Sequence, residues 1–409
     1  MRSPIARPLS DKFTLLRRRL PGGGLTSGRG VTALRLLPLL VFALIGANYI
    51  GAFAAVGSQP QSTPMAEPEG LAILEQFGQS TRVSKLARAS LEEPLRGRVQ
   101  PTPVTSLDIP FGCVASGLYS APHGPWAVVQ VNCESGGYLI FVNLRSALVW
   151  EPDSLLGHEQ TFLAWEPAGN DVIVRLDAVL GPQVVRVHIP DGRSTPLDVP
   201  ISTYNLSFRP DGKKILYATT DGVGWGSSLW IADADGSDAR RLLQDTENLV
   251  IFPSWSPDGK SLAYISMADN TIPFLVGDLW VGGEDGGGLR RIASVDGGHG
   301  FAPAWAPDGR SIAFVHRENP GSLHADIHAQ ALESNVYVVS LADGSILPVS
   351  GLNGKRVNAP AYSPDGAFLA YASQRDGAAT IWLRDWANGE LTPLFEAPGE
   401  LAPGWIAGE

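Results

Sequence analysis

The chain holds 409 residues, including 46 Gly, 32 Pro and 11 Trp but only two Cys, and its formal net charge is −10. So many turn formers beside large aromatics suit short strands joined by tight turns, which favours an all-β architecture over a helical one. Residues 1–35 carry eight Arg or Lys against Asp11 alone, a net of +7, so the remainder sums to −17. That acidic body argues against nucleic-acid binding, which needs a basic surface to neutralise phosphates.

In chain order, the basic tail of residues 1–35 runs into residues 36–57, LLPLLVFALIGANYIGAFAAVG, 22 residues without a charge. As a helix rising ~1.5 Å per residue, this stretch spans a ~30 Å hydrocarbon core. It predicts a single N-terminal transmembrane helix or a signal peptide. Arg17, Arg18, Arg19, Arg29 and Arg35 hold the N-terminus in the cytoplasm, so the chain after Gly57 is exported. Ala52-Phe53-Ala54 and Ala55-Val56-Gly57 offer small residues for cleavage, which would make the protein secreted. The apolar run exceeds the ~7–15 residues of a signal h-region, however, and favours an uncleaved anchor. No Cys follows closely, so a lipid anchor is not expected.

Residues 58–103 read as a Pro-rich linker or stalk. Within them, residues 71–93 predict a short, weakly amphipathic helix with Leu71, Leu74, Phe77, Val83 and Leu86 loosely on one face. Pro94, Pro101 and Pro103 close the stalk, and the first clear strand begins near Val104.

From there a pattern recurs: PSWSPDGKSLAY from Pro253, PAWAPDGRSIAF from Pro303 and PAYSPDGAFLAY from Pro360. In Ser256-Pro257-Asp258-Gly259 the proline presets φ for a type I turn, Ser and Asp supply local hydrogen bonds, and Gly closes the turn where φ turns positive. The turn predicts a hairpin. The strand leaving it, SLAYIS, is apolar on both alternating faces and so reads as buried on both sides. A third strand follows each pair (SLWIAD, DLWVGG, NVYVVS, TIWLRD), then a turn rich in Asp and Gly, then a fourth strand (ARRLLQ, LRRIAS, ILPVSG, LTPLFE). Two degenerate copies precede these four, and the turn prolines fall at 122, 167, 210, 257, 307 and 364, spaced by 43 to 57 residues.

A four-stranded unit at this period predicts a β-propeller, in which each blade buries both faces against its neighbours. The ends carry extra pieces: APGWIAGE at 402–409 aligns with the first strand of a repeat, and TSLDIP at 105–110 with the last. Six complete repeats favour a six-bladed β-propeller. A seventh blade assembled from both ends, but missing its middle strands, is the alternative.

The Pro-x-aromatic-Ser-Pro-Asp-Gly-Lys-x-(Leu/Ile)-Ala-(Tyr/Phe) pattern resembles the WD-like repeat of TolB-type propellers, found also in propeller domains of prolyl-oligopeptidase-like enzymes. The resemblance covers about residues 104–409 and implies the fold. Function it implies only broadly, because such propellers serve as protein-binding platforms, substrate gates and occasional enzyme scaffolds. The sequence departs from TolB in its apolar N-terminal segment and in showing no separate α/β domain before the ring.

Several residue groups are candidates for chemistry. Cys113 and Cys133 lie ten residues either side of His123 in the APHG turn, so they face each other on paired strands as a disulfide stapling the first repeat; a reactive or metal-binding thiol pair is the alternative. The insertion at 316–334, HRENPGSLHADIHAQALES, holds three of the seven His. On a strand His324, Asp326 and His328 share a face, and on a helix His324 and His328 alone do. Either could hold a divalent metal, and a solvated polar loop is the plainer reading. With the loops at 219–228 and 267–278, this insertion falls on the face opposite the Pro-Asp-Gly turns. That face carries Trp225, Asp269, Asn270 and Phe274, residue types suited to a binding surface unless the aromatics fold back over their own blades.

The remaining repeats read as structural: Asp211, Asp258, Asp308 and Asp365 serve the turns, and Trp165, Trp255, Trp305 and Trp405 pack between blades. DADGSD from Asp233 lacks EF-hand spacing and reads as a turn. No G-x-S-x-G, P-loop or H-E-x-x-H occurs. The sequence therefore predicts a membrane-anchored, extracytoplasmic and non-catalytic platform without cofactor, binding a protein or cell-envelope component. The alternative is an exported hydrolase or lyase acting on a glycan or peptide, with a divalent metal at His324, Asp326 and His328.

Overall fold

The computed structural model describes residues 68–92, 99–177, 181–270, 272, 275–297, 302–351 and 355–408. The basic tail, the apolar segment 36–57 and Phe274 lie outside the described residues. Among the described residues no helix is long and apolar enough to cross a membrane.

Those residues form seven four-stranded antiparallel sheets, so the molecule is an all-β, seven-bladed propeller. Blades 1 to 6 follow one another along the chain at 114–150, 159–196, 203–245, 248–296, 304–348 and 356–398. Blade 7 is composite: from the centre outwards it pairs Glu400–Ile406, Gly70–Phe77, Ser80–Ala87 and Thr102–Leu107. The expected preference for six blades is therefore corrected to seven. A blade closed by the two chain ends has no hairpin between its first and second strands, and so no Pro-Asp-Gly turn to count.

The expected helix at 71–93 is corrected as well. Leu71, Ala72, Ile73 and Leu74 are all buried, with Leu71 and Ile73 facing blade 6 and Ala72 and Leu74 facing blade 1. This is the two-sided burial of every second strand in the ring, matched in blade 4 by Leu262, Ala263, Tyr264 and Ile265. Each fully buried aliphatic or aromatic side chain of this kind contributes roughly 1.5–3 kcal/mol. A four-residue apolar run fits helix and buried strand equally by periodicity, and Gly78 at φ +57° makes the hairpin turn that decides between them. Only Ala89–Glu92 is helical. Residues 70–87 and 102–103 of the expected stalk thus belong to the ring.

Closure is explicit in the register, with Gly70 opposite Ile406, Leu71 opposite Trp405 and Gln76 opposite Glu400. Seven apolar clusters fill the seven blade interfaces, including the two that flank blade 7. No interface in the circle is left unpacked, and blade 7 presents no unpaired edge to its own ring.

Candidate functional site

The strand order gives the ring two unlike faces. On one, the Ser-Pro-Asp-Gly turns repeat with the same internal bonds. Asp258 Oδ1 accepts from Ser256 Oγ at 2.7 Å and from Lys260 N at 3.1 Å, and Asp365 Oδ1 accepts from Ser363 Oγ at 2.6 Å and Ala367 N at 3.1 Å. Asp211 and Asp308 accept the equivalent backbone amides at 3.0 and 2.9 Å. Asp235 of DADGSD likewise closes its own turn through Ser237. The tryptophans at the turn register are engaged between blades. Trp165 Nε1 donates to Tyr119 O at 3.0 Å, Trp305 Nε1 to Ser254 Oγ at 3.1 Å and Trp405 Nε1 to Ala361 O at 2.9 Å. Trp255 is wholly buried, with Arg209 stacked 6.0 Å from its ring centre. Each of these groups is engaged within the ring.

The opposite face is not repetitive. Its loops at 220–226, 269–275 and 318–333 interrupt three consecutive blades, whereas blades 1, 6 and 7 make the same connection with tight turns. Of the fourteen large apolar side chains that stand exposed among the described residues, seven lie in loops or blade connections of this face, among them Trp225 at 72%, Leu323 at 76% and Phe111 at 93%.

Trp225 is held up rather than folded back. Asp269, from the neighbouring blade, accepts with one oxygen from Gly224 N at 2.7 Å and Gly226 N at 2.8 Å, the amides on either side of the tryptophan. Trp225 N donates to Gly222 O at 3.2 Å and Thr220 Oγ1 donates to Gly226 O at 2.7 Å, completing the loop. Asn270 caps Ile272 N at 2.8 Å. Trp225, Asp269 and Asn270 therefore sit together, while Phe274 is outside the described residues.

The long insertion is a small folded unit. Ala325 and Leu332 are buried against each other, Ser322 caps the helix Leu323–Ile327, and Asp326 pairs at 2.9 Å with Arg317, a guanidinium only 1% exposed. The element is helical, so His324 and His328 share a face with ring centres 4.6 Å apart, and Asp326 points the other way, to Arg317. Among the described residues no group of three His, Cys, Asp or Glu is placed to hold a metal. Cys113 and Cys133 form a disulfide. Disulfides persist in oxidising compartments, which makes the ring extracytoplasmic.

Beside the Trp225 loop, a cavity of about 460 Å³ opens between blades 3 and 4, with Tyr264, Trp280, Asp245, Asn248 and Asp278 in its wall. The Tyr264 hydroxyl is pushed up to about 12 by burial and, second, by the charge of Asp245. Sequence reasoning missed this groove. The signal was in the third strands: SLWIAD, DLWVGG, NVYVVS and TIWLRD carry Ser228, Asp278, Asn335 and Thr380 at one register, and only one of the four is an acid.

A ring of seven four-stranded blades, stapled by a disulfide, with one repetitive face and one loop-rich face, defines an extracytoplasmic β-propeller. The comparisons agree on its type: residues 223–394 match the family model of the TolB beta propeller domain. Over 132 residues the chain is 26% identical to the Tol-Pal system protein TolB of Anaeromyxobacter dehalogenans, covering 32% of this chain and 27% of that protein. A 55-residue stretch is 42% identical to TolB of Xanthomonas campestris, covering 13% of this chain and 12% of the relative. The chain thus spans at most about a quarter of the length of these curated relatives. Among solved structures, a puromycin hydrolase aligns with TM-score 0.56 at 14% identity, over 86% of this chain and 54% of that one. An oligogalacturonate lyase from Vibrio parahaemolyticus aligns with TM-score 0.53 at 14% identity, over 82% of this chain and 89% of the other. At such identities the structural likenesses show the fold alone.

Proposed function

We propose that the chain is a non-catalytic, membrane-anchored platform that captures a protein or cell-envelope component on its loop-rich face. The observation that carries this reading is Trp225, exposed on a loop whose amides are pinned by Asp269 of the next blade, so that a large aromatic is offered in one fixed position. Rigid aromatic anchors of this kind supply much of the affinity in protein interfaces. The resemblance to TolB, a protein named for the Tol-Pal system, is consistent with a binding role. The apolar residues 36–57 would tether the ring to the membrane that it serves.

The test is cross-linking capture in native membranes with the full chain, beside a version in which residues 319–332 are replaced by a short Gly-Ser turn. The replacement leaves Arg317 and Ser334 in place, because both belong to strands of blade 5. Loss of the captured species by a chain whose ring still unfolds cooperatively, at a melting temperature lowered by the removal of Asp326 from Arg317, is the expected result. Unaltered capture by the replaced chain would reject this face.

A further inference from the structure

Three blades carry the same aromatic pair on their second and third strands, and comparing them isolates what is peculiar to the groove. Tyr217 lies opposite Trp230 in blade 3, Tyr264 opposite Trp280 in blade 4 and Tyr371 opposite Trp382 in blade 6. In blade 3 the indole is covered by a cation of the same blade, with Arg241 Cζ 5.7 Å from the Trp230 ring centre. In blade 6 it is covered by Lys355, whose Nζ stands 5.8 Å from the Trp382 ring centre. A cation within about 6 Å of an indole is attracted by the ring quadrupole.

Blade 4 has lost both covers. Arg291 opposes Trp280 on the fourth strand as Arg241 opposes Trp230, with the same bulge beside it. Arg291 Nη2, however, bonds Asp278 Oδ1 at 2.7 Å, and the residue at the register of Asp278 in blade 3 is Ser228. The second cover is missing by substitution. Val250 N donates to Ser227 Oγ as Val357 N donates to Ser334 Oγ, which fixes the register of the two first strands and places Asn248 where blade 6 has Lys355. Asn248 is itself bonded to Asp245, through its backbone N at 2.9 Å and its side-chain amide at 3.0 Å. Among the described residues no cation stands over Trp280. In its place lies the cavity of about 460 Å³, walled by Trp280, Tyr264 and the carboxylates of Asp245 and Asp278.

We propose that this groove receives the lysine side chain of a partner protein, its ammonium standing over Trp280 as Lys355 stands over Trp382. The inference rests on the platform reading and names the chemistry of what the platform captures. Charge complementarity selects the occupant: Asp245 and Asp278 line the groove, Asp278 paired with Arg291 from outside it, no cation is among the lining residues, and Leu243, Met267 and Val276 supply the apolar wall that a lysine stem covers. The segment that brings it approaches beside Trp225, because Asp269, which holds the Trp225 loop, follows directly on Ala268 of the groove wall.

The experiment uses the full-length chain in detergent, labelled with 5-fluorotryptophan, with the Trp280 resonance assigned by Trp280→Phe. The probes are a capped Leu-Lys-Leu peptide, its Leu-Gln-Leu analogue and butylammonium. The lysine peptide should shift the Trp280 resonance saturably, and the glutamine peptide should bind about tenfold more weakly or not at all. Two variants should each abolish the shift: Asn248→Lys, which supplies the cation from within as blade 6 does, and Asp278→Ser, which releases Arg291 to cover the indole as in blade 3. Equal shifts from the lysine and glutamine peptides, or persistence of the lysine shift in both folded variants, would overturn the proposal. Saturation by butylammonium at the same concentration as the peptide would overturn the assignment to a protein partner. In the membrane capture experiment, a species that Asn248→Lys still captures, and that the 319–332 replacement loses, defeats this inference alone. Absence of any captured species with the unaltered chain defeats the platform reading beneath it.

Discussion

The two faces of the ring use the same residue types in opposite ways. On the turn face an aspartate is bound by its own turn: Asp258 accepts from Ser256 and Lys260, each two residues away, and the bond to the amide two residues on recurs at Asp211, Asp308 and Asp365, where Arg88 adds a pair from blade 7. On the loop face the aspartates reach outward along the chain or across blades. Asp269 holds the loop of the preceding blade across 43 and 45 residues of sequence, and Asp326 reaches the buried Arg317. A motif that satisfies itself locally can be copied around a ring and carries no information about a partner. Bonds made once, between unlike loops, are where such a ring acquires a particular surface.

The comparison is broken most forcefully at Asp326. If loop-face residues governed recognition only, Asp326→Ala would leave stability alone. Instead it removes the carboxylate from a guanidinium that is 1% exposed, and breaking a buried pair from one side costs about 3–5 kcal/mol. Protease nicking within 318–333 and a lowered melting temperature should both follow. Asp326→Asn, which keeps a hydrogen-bonding oxygen, should recover part of the loss. An unchanged melting temperature in Asp326→Ala would show that Arg317 draws its support from its other partners.

The turn face predicts a smaller and pH-dependent effect. The hydrogen bond from Ser256 holds the Asp258 carboxyl below the ordinary carboxylate range, and Asp343, bonded first by Ser340 and then by Ser345, is lowered to about 2. Carboxyls lowered in the folded state stabilise it above their unfolded value near pH 4, and that contribution is lost as pH falls through the folded values. Stability should therefore decline from about pH 4 downward toward pH 2. Asp258→Ala should cost about 1 kcal/mol at neutral pH and flatten the acid limb of a urea-denaturation series. A variant with an unaltered acid limb would mean that this turn is held by its proline and glycine alone.

Much of the ring was legible in the sequence because its physical requirements repeat. The turn needs Ser, Pro, Asp and Gly in order, and Gly259 sits at φ +69° as that order implies. The second strand needs apolar residues on both faces, and the Cys113–Cys133 bond follows from hairpin symmetry about His123. What failed was whatever did not repeat. Leu71 to Leu74 lacked a Pro-Asp-Gly turn to announce them, because their hydrogen-bonding neighbour is the far end of the chain. Asp326 was grouped with His324 and His328 by spacing, whereas its partner is a buried arginine nine residues earlier, which no local pattern marks. Trp280 is one residue of the strand DLWVGG, which nothing in its local sequence singles out. Only the exchange of Lys355 for Asn248 and of Ser228 for Asp278, visible once the strand registers are known, separates it from its counterparts.

The smallest expected effect on stability is also the one that sharpens the comparison furthest. Trp225 is 72% exposed, and the backbone around it is held by Thr220 and Asp269 rather than by its own ring. Trp225→Ala should then change unfolding free energy by less than about 0.5 kcal/mol, the range of surface substitutions that remove no buried contact. Capture by the loop face should nonetheless fall steeply, since an aromatic anchor in an interface is commonly worth about 2 kcal/mol or more, a loss of roughly thirtyfold. Measuring melting temperature and capture on the same preparation separates the two consequences. A large fall in melting temperature would mean that the indole caps its blade and belongs with the packing tryptophans of the turn register. Unchanged stability and unchanged capture together would move the contact surface away from blade 3, toward the exposed Leu323 and Ile327 of the blade 5 insertion.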